Sequence, residues 1–220
     1  QLAGDLKSLT TPGAKGRTEK EEEESTAEEK LTEQEVSAYR SGAARANYLS
    51  LDRPDIAYAT KELCRRMSCP TRKDFEPLVR VARYLKGAPR VAYRFAWQPE
   101  CDLQTFVDTD FAGCLVTRRS TSGGGAMRGT HLIKHWSATQ KAVTLSSGEA
   151  ELCGIVKGTA EALGIQSLGR DLGIEMGVSI HTDSSAAAGI CRRSGIGRVR
   201  HLAVGQLWVQ EGLRRGDFKL

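Results

Sequence analysis

Three carboxylates far apart in the chain, Asp108, Glu151 and Asp183, occupy places from which a fold can bring them together. Asp108 closes the run Leu103 to Val107, which reads as a strand, and Asp183 closes another, Val178 to Thr182. Glu151 lies in the first turns of a helix that begins with Ser146. Strand ends in a mixed α/β fold gather on one edge of the sheet, so the three acids can meet there. Converging carboxylates repel unless positive charge sits among them, and all-oxygen sites select hard ions such as Mg²⁺ or Mn²⁺. Two such ions about 3.5–4 Å apart activate water and stabilise the leaving oxygen in phosphodiester cleavage. Taken singly, each residue is equally at home as a turn residue, a cap or a first-turn acid favoured by the helix dipole. Only the joint pattern points to nuclease chemistry.

The elements that must position these acids are legible from periodicity. Ser146 and Glu149 have the spacing of a capping box, and Leu152, Ile155, Val156, Thr159, Ala160 and Leu163 form the apolar stripe of the helix that follows. Strands over 103–107, 123–128 and 132–137, the last two joined at Gly129-Thr130, predict an antiparallel meander. A buried strand over 178–182, a short helix over 184–191 and an amphipathic helix over 202–213 follow, and Phe218 opens a last strand. Upstream, Pro54 and Pro70 separate three helical patterns at 33–50, 54–67 and 74–86. In the third, Phe75, Leu78, Val79, Ala82 and Leu85 form the apolar side, while Lys73, Arg80, Arg83 and Lys86 make it a basic amphipathic helix. Such a face tracks a nucleic-acid backbone or is simply solvated. Val91, Tyr93 and Phe95 alternate as a half-buried strand would.

Charge is unevenly spread. Residues 1–35 hold ten of the 27 acidic side chains and five of the 32 basic ones, so 17 acidic and 27 basic remain and the rest of the chain carries +10. The acidic run Glu21 to Glu24, without apolar periodicity, reads as a disordered linker. The basic remainder suits a polyanionic partner, because Lys and Arg that neutralise phosphates gain from counterion release. No apolar stretch approaches the roughly 20 residues of a membrane helix, and no signal-peptide pattern opens the chain, which therefore reads as soluble and intracellular, in cytoplasm or nucleus, with no membrane partner. The six cysteines include no Cys-x-x-Cys pair and read as reduced thiols. His131 and His135 have the spacing of one helix face, but their surroundings read as strand, which argues against zinc.

The wording around the carboxylates carries a resemblance. Phe106-Val107-Asp108-Thr109-Asp110-Phe111-Ala112-Gly113 and Arg118-Arg119-Ser120-Thr121-Ser122-Gly123 resemble the opening of the ribonuclease H domain of copia-type retrotransposon polyproteins. His135-Trp136-Ser137-Ala138-Thr139-Gln140-Lys141, Leu145-Ser146-Ser147-Gly148-Glu149-Ala150-Glu151-Leu152 and Thr182-Asp183-Ser184-Ser185-Ala186 continue it in order. Upstream, Tyr39-Arg40-Ser41, Arg53-Pro54-Asp55-Ile56-Ala57-Tyr58 and Arg83-Tyr84-Leu85-Lys86-Gly87 resemble the end of the reverse transcriptase and its connection. The resemblance spans roughly residues 36–220. It implies a ribonuclease H-like α/β fold, with three antiparallel strands then parallel strands and flanking helices, preceded by a small helical segment. The corresponding divisions are a linker at 1–35, a connection remnant at 36–100 and the nuclease domain at 101–220.

For the site, the resemblance makes Asp108, Glu151 and Asp183 both catalytic and metal-binding, with two Mg²⁺ or Mn²⁺ ions. It expects a fourth acid just after a basic-His pair, where this chain reads Arg200-His201-Leu202-Ala203. The methyl group of Ala203 binds no metal, and Asp110 and His201 are the auxiliary candidates in its place. Arg118, Arg119, Lys141, Arg198 and Arg200 are the candidates for gripping phosphates, and Trp136 reads as core rather than as a stacking platform. The implied activity is metal-dependent hydrolysis of the RNA strand of RNA–DNA hybrids, impaired by Ala203. The alternative is a catalytically inactive nucleic-acid-binding remnant of a retroelement polyprotein. The polymerase part of the same polyprotein is the further partner implied.

Overall fold

A computed structural model describes residues 4–13, 31–195, 197 and 204–220, and the chain divides into two units, Gln1–Tyr93 and Arg94–Leu220. In the first unit, helix α1 (Glu33–Leu49) starts at a full capping box. The Thr32 hydroxyl accepts from the Glu35 amide at 3.3 Å, and the Thr32 amide donates to Glu35 Oε2 at 2.9 Å. Helices α2 (Ala57–Arg65) and α3 (Phe75–Gly87) each follow a single 3₁₀ turn, Pro54–Ile56 and Arg72–Asp74. Tyr39, Ala43, Leu63, Leu78 and Val81 close a small core, into which the Tyr39 hydroxyl donates to the Leu63 carbonyl at 2.9 Å.

Two expectations change in this part of the chain. Residues 4–13, assigned to a linker, run along α3, whose basic side chains hold their backbone carbonyls. Arg80 donates to Gly13 at 2.7 Å, Arg83 to Lys7 at 2.7 Å and Lys86 to Gly4 at 2.8 Å. The basic side chains of α3 are therefore not bare, because they anchor the N-terminal segment. The linker assignment for 14–30 lies outside the described residues. The second change is at Val91, Tyr93 and Phe95, which alternate without forming a strand and are all exposed. Alternation needs a neighbouring strand to become a ladder, and among the described residues none pairs there.

The second unit is a mixed α/β structure. Strands β1 (Leu103–Asp110), β2 (Thr121–Arg128) and β3 (His131–Thr139) form an antiparallel meander, and β4 (Val178–His181) joins the free edge of β1 in parallel, giving the order β3-β2-β1-β4. Lys219 extends the sheet past β4, exchanging backbone hydrogen bonds with Val178 and Ile180 at 2.9 and 2.8 Å. The 25-residue helix α4 (Ser147–Asp171) covers one face, and α5 (Ser185–Arg192) and α6 (Trp208–Arg215) complete the core around Leu103, Val107, Leu152, Ile155, Ile180 and Val209. The last helix begins later than expected, after a 3₁₀ turn at Val204–Gln206. All six cysteines are free, and among the described residues no helix is long and apolar enough to cross a membrane.

Helix α4 departs from its sequence reading in two details. The Ser146 hydroxyl accepts from the Glu149 amide at 3.3 Å, but Glu149 Oε2 takes the amide of Leu145 at 2.9 Å, one residue before the cap, so the box is half made. Ala160 is exposed, and the face turned to the sheet instead includes Gly154 and Gly158. A Cβ on Gly154 would stand 2.7 Å from Thr109 Oγ1, and one on Gly158 would stand 2.3 Å from Val107 Cγ1. The two glycines, one turn apart on the same face, let the helix lie directly on β1. Trp136 packs against this core as expected, its ring lying over Gly124 of β2.

Candidate metal centre

β1 alternates strictly between buried and exposed positions, so Thr109 turns toward α4 while Asp108 turns to the opposite face. β4 lies parallel to β1 with His181 beside Phe106, so two further residues along each chain bring Asp183 level with Asp108. The Ser146 cap starts α4 at the same end of the sheet, which delivers Glu151 from the helix side. One carboxylate oxygen from each of Asp108, Glu151 and Asp183 lies within 4.8 Å of the others. Asp183 is held by its neighbours, since Thr182 Oγ1 accepts from the Ser184 amide at 3.2 Å and Ser184 caps α5 by accepting from Ala187 at 3.2 Å. The Thr109 amide donates to Asp108 Oδ1 at 2.8 Å.

The cluster concentrates negative charge. Asp108 and Asp183 are exposed, whereas Glu151 is half-buried and its Oε2 is sealed from solvent without a hydrogen-bond partner among the described residues. Burial first, then the negative charges of Asp108 and Asp183, push the Glu151 carboxyl up from its ordinary 4.5 to about 7, with the Thr109 amide opposing. Among the described residues none of the three has an ion-pair partner. Acceptor-only oxygens, mutual proximity and an orphaned buried oxygen together fit a hard divalent cation.

The other candidates fall variously. Asp110 lies one step past Thr109, opposite Thr121, and its carboxylate is turned against Gly113, where a Cβ would stand 1.8 Å from Oδ2; it does not join the cluster. Arg118 and Arg119 are exposed on the loop between β1 and β2, with Arg118 in the left-handed region at φ 54°. Lys141 is exposed just past β3, whose last residue Thr139 pairs with Thr121 and so, across β2, stands level with Asp110. These three basic residues therefore occupy the same end of the sheet as the carboxylates. Arg198, Arg200, His201 and Ala203 lie outside the described residues. His131 and His135 both lie in β3 and belong to no metal-ligating group among the described residues.

Sequence reasoning missed a layer of buried polar side chains behind the acids: Thr109, Ser120, Ser122, Gln140 and Thr144. Their signal was slight, since polar residues at strand ends normally read as turn chemistry.

No protein-family model matches the chain. Among known proteins it is 41% identical over 126 residues to an uncharacterized mitochondrial protein of Arabidopsis thaliana, covering 57% of this chain and 52% of that protein. It is 30% identical over 185 residues to the retrovirus-related Pol polyprotein from transposon RE1 of the same plant, covering 83% of this chain and 13% of the polyprotein. It is 32% identical over 126 residues, 57% of this chain, to the secreted RxLR effector protein 161 of Plasmopara viticola, of which it covers 89%. The chain thus spans about half of the mitochondrial relative and a small part of the polyprotein. The similarity recurs in the retrovirus-related Pol polyprotein from transposon TNT 1-94 of Nicotiana tabacum, 28% identical over 167 residues, so the chain is a homologue of a segment of retrotransposon Pol polyproteins.

Proposed function

We propose that the second unit is a ribonuclease H-like domain that hydrolyses the RNA strand of RNA–DNA hybrids with Mg²⁺ or Mn²⁺, and that Asp108, Glu151 and Asp183 are its catalytic, metal-holding residues. The observation that carries this reading is the meeting of three acids from β1, α4 and the end of β4 at one edge of a mixed sheet. Asp108, with its Oδ1 oriented by the Thr109 amide, is the central ligand, and Glu151 and Asp183 flank it. Divalent ions bound there supply Lewis acidity at the scissile phosphate. Glu151 must lose its proton to serve, so its carboxyl near 7 couples ion uptake to proton release. Arg118, Arg119 and Lys141, with Arg198 and Arg200, hold the phosphates of the hybrid without reading sequence. The polymerase part of the polyprotein is the second proposed partner.

The test is cleavage of a labelled RNA–DNA hybrid in Mg²⁺ or Mn²⁺ by the native chain, Asp108→Asn and Ala203→Asp. Cleavage by the native chain that Asp108→Asn abolishes supports an enzyme working with three acids. Activity appearing only with Ala203→Asp identifies a fold whose site is disabled by the missing fourth carboxylate. Hybrid binding without cleavage in every version overturns the enzyme reading in favour of a binding remnant.

A further inference from the structure

The cluster poses a mechanical problem. Asp108 and Glu151 sit on different elements, carry like charge and repel, so something must hold the first turn of α4 against the sheet at the level of the acids. Deeper in the helix the contact is apolar, through Leu152, Ile155 and the close approach at Gly154 and Gly158. At the level of the acids it is polar and converges on one carbonyl. Thr109, the residue after Asp108, donates its hydroxyl to the Ala150 carbonyl at 3.3 Å. Gln140 Nε2 donates to the same carbonyl, the one just before Glu151, at 2.8 Å, and to Ser122 Oγ at 2.9 Å. Ser122 is the ladder partner of Thr109.

From these contacts we infer that Gln140 is a positioning residue of the carboxylate site, a clamp whose amide ties α4 to β2 and thereby sets the gap between Asp108 and Glu151. The inference rests on the metal-site reading above. Gln140 is suited to the task by its own anchorage. Its backbone amide donates to the Ser120 carbonyl at 2.8 Å, and Ser120 Oγ is in turn hydrogen-bonded to Thr144 Oγ1 at 3.1 Å and to the Ala112 amide at 3.1 Å. Ser120, Ser122, Gln140 and Thr144 are all buried, so water does not compete for these bonds.

The orientation of the amide is also dictated. Ala150 offers only an acceptor, so reversing the amide would set two oxygens together. In the orientation found, Oε1 is left buried with no hydrogen-bond partner among the described residues. A side chain kept only for stability would not be expected to orphan a buried acceptor, which costs stability. The arrangement makes sense when the aim of the NH₂ group matters more than satisfaction of the oxygen.

Gln140→Met tests this, because it keeps the length and bulk of the side chain while removing both the donor and the orphaned oxygen. Mn²⁺ binding to the full chain is followed by electron paramagnetic resonance, alongside thermal melting without metal. The expected result is an affinity lowered about ten- to hundredfold, as for other partners that orient metal ligands, with a melting temperature close to native. Ser122→Ala, which frees one arm of the clamp, weakens binding by a smaller factor and serves if Gln140→Met does not fold. Native affinity in both variants overturns the inference, and so does a loss that merely follows a lowered melting temperature. Asp108→Asn separates this from the underlying reading. If native binding does not depend on Asp108, the metal site itself is wrong and the clamp falls with it; if it does and Gln140→Met binds equally well, only the clamp is wrong.

Discussion

At the residue scale, Glu151 is the group on which the site turns. Its neighbours Asp108 and Asp183 are exposed and can share their charge with water, but Glu151 is partly sealed between helix and sheet, so burial and repulsion both favour its protonated form. The folded carboxyl near 7 lies above the ordinary 4.5 of an unfolded chain. A group raised in this way contributes stability that is complete below about 4.5 and is lost as pH rises through about 7. Thermal melts in chelator should therefore show Glu151→Gln more stable than the native chain at about pH 8, with the difference vanishing near pH 4.5. Adding Mg²⁺ at the higher pH should raise the melting temperature of the native chain and leave Glu151→Gln nearly unmoved. A native chain that melts no lower than Glu151→Gln in chelator at that pH would contradict the repulsive cluster.

At the element scale, the helix–strand contact decides whether the acids meet. The glycines of α4 are not interchangeable, since each position differs in what surrounds it. Gly158 faces Val107 so closely that any side chain must push the helix off β1, whereas Gly164 is exposed with nothing within 4 Å of an added Cβ. Gly158→Val should cost about 1–3 kcal/mol through overpacking, and Gly164→Ala should add up to about 1 kcal/mol through helix propensity. Chemical denaturation of the two variants measures both. The same comparison made with Mn²⁺ should find weaker binding for Gly158→Val, because displacement of α4 carries Glu151 away from Asp108. Gly164→Ala should bind as the native chain does.

At the scale of the whole molecule, the net charge of +5 is the balance between a strongly acidic N-terminal stretch and a basic remainder. The basic side chains are not equivalent as partners for nucleic acid. Arg80, Arg83 and Lys86 are engaged with residues 4–13 of their own unit, while Arg118, Arg119 and Lys141 are exposed at the carboxylate end of the sheet. Hybrid affinity measured by anisotropy across a salt series should fall linearly on logarithmic axes. Arg118→Ala combined with Arg119→Ala should reduce the slope by about 2, roughly one for each phosphate left unneutralised. Arg83→Ala should leave the slope nearly unchanged. An equal change for Arg83→Ala would place the hybrid on the first unit instead.

What the amino-acid sequence settled alone was local. The run Leu103 to Val107, the serine before α4 and the run Val178 to Thr182 each specify an element from neighbouring residues, and each element carries or adjoins one of the three acids. Asp108, Glu151 and Asp183 are legible as candidates from their joint placement and the wording around them, not from any one of these signals. The tertiary structure decided what depends on residues distant in sequence. Val91, Tyr93 and Phe95 have a strand's pattern but no partner strand among the described residues, and the basic face of α3 is occupied by a segment that composition assigned to a linker. Asp110 is two residues from Asp108 and on the same face of β1, yet its carboxylate turns to Gly113. Gln140 carried no periodic signal, because its meaning lies in one carbonyl on α4 and one hydroxyl on β2. Periodicity records which face of an element is buried; which atoms meet across that face is set by register, approach distance and the partners other segments supply.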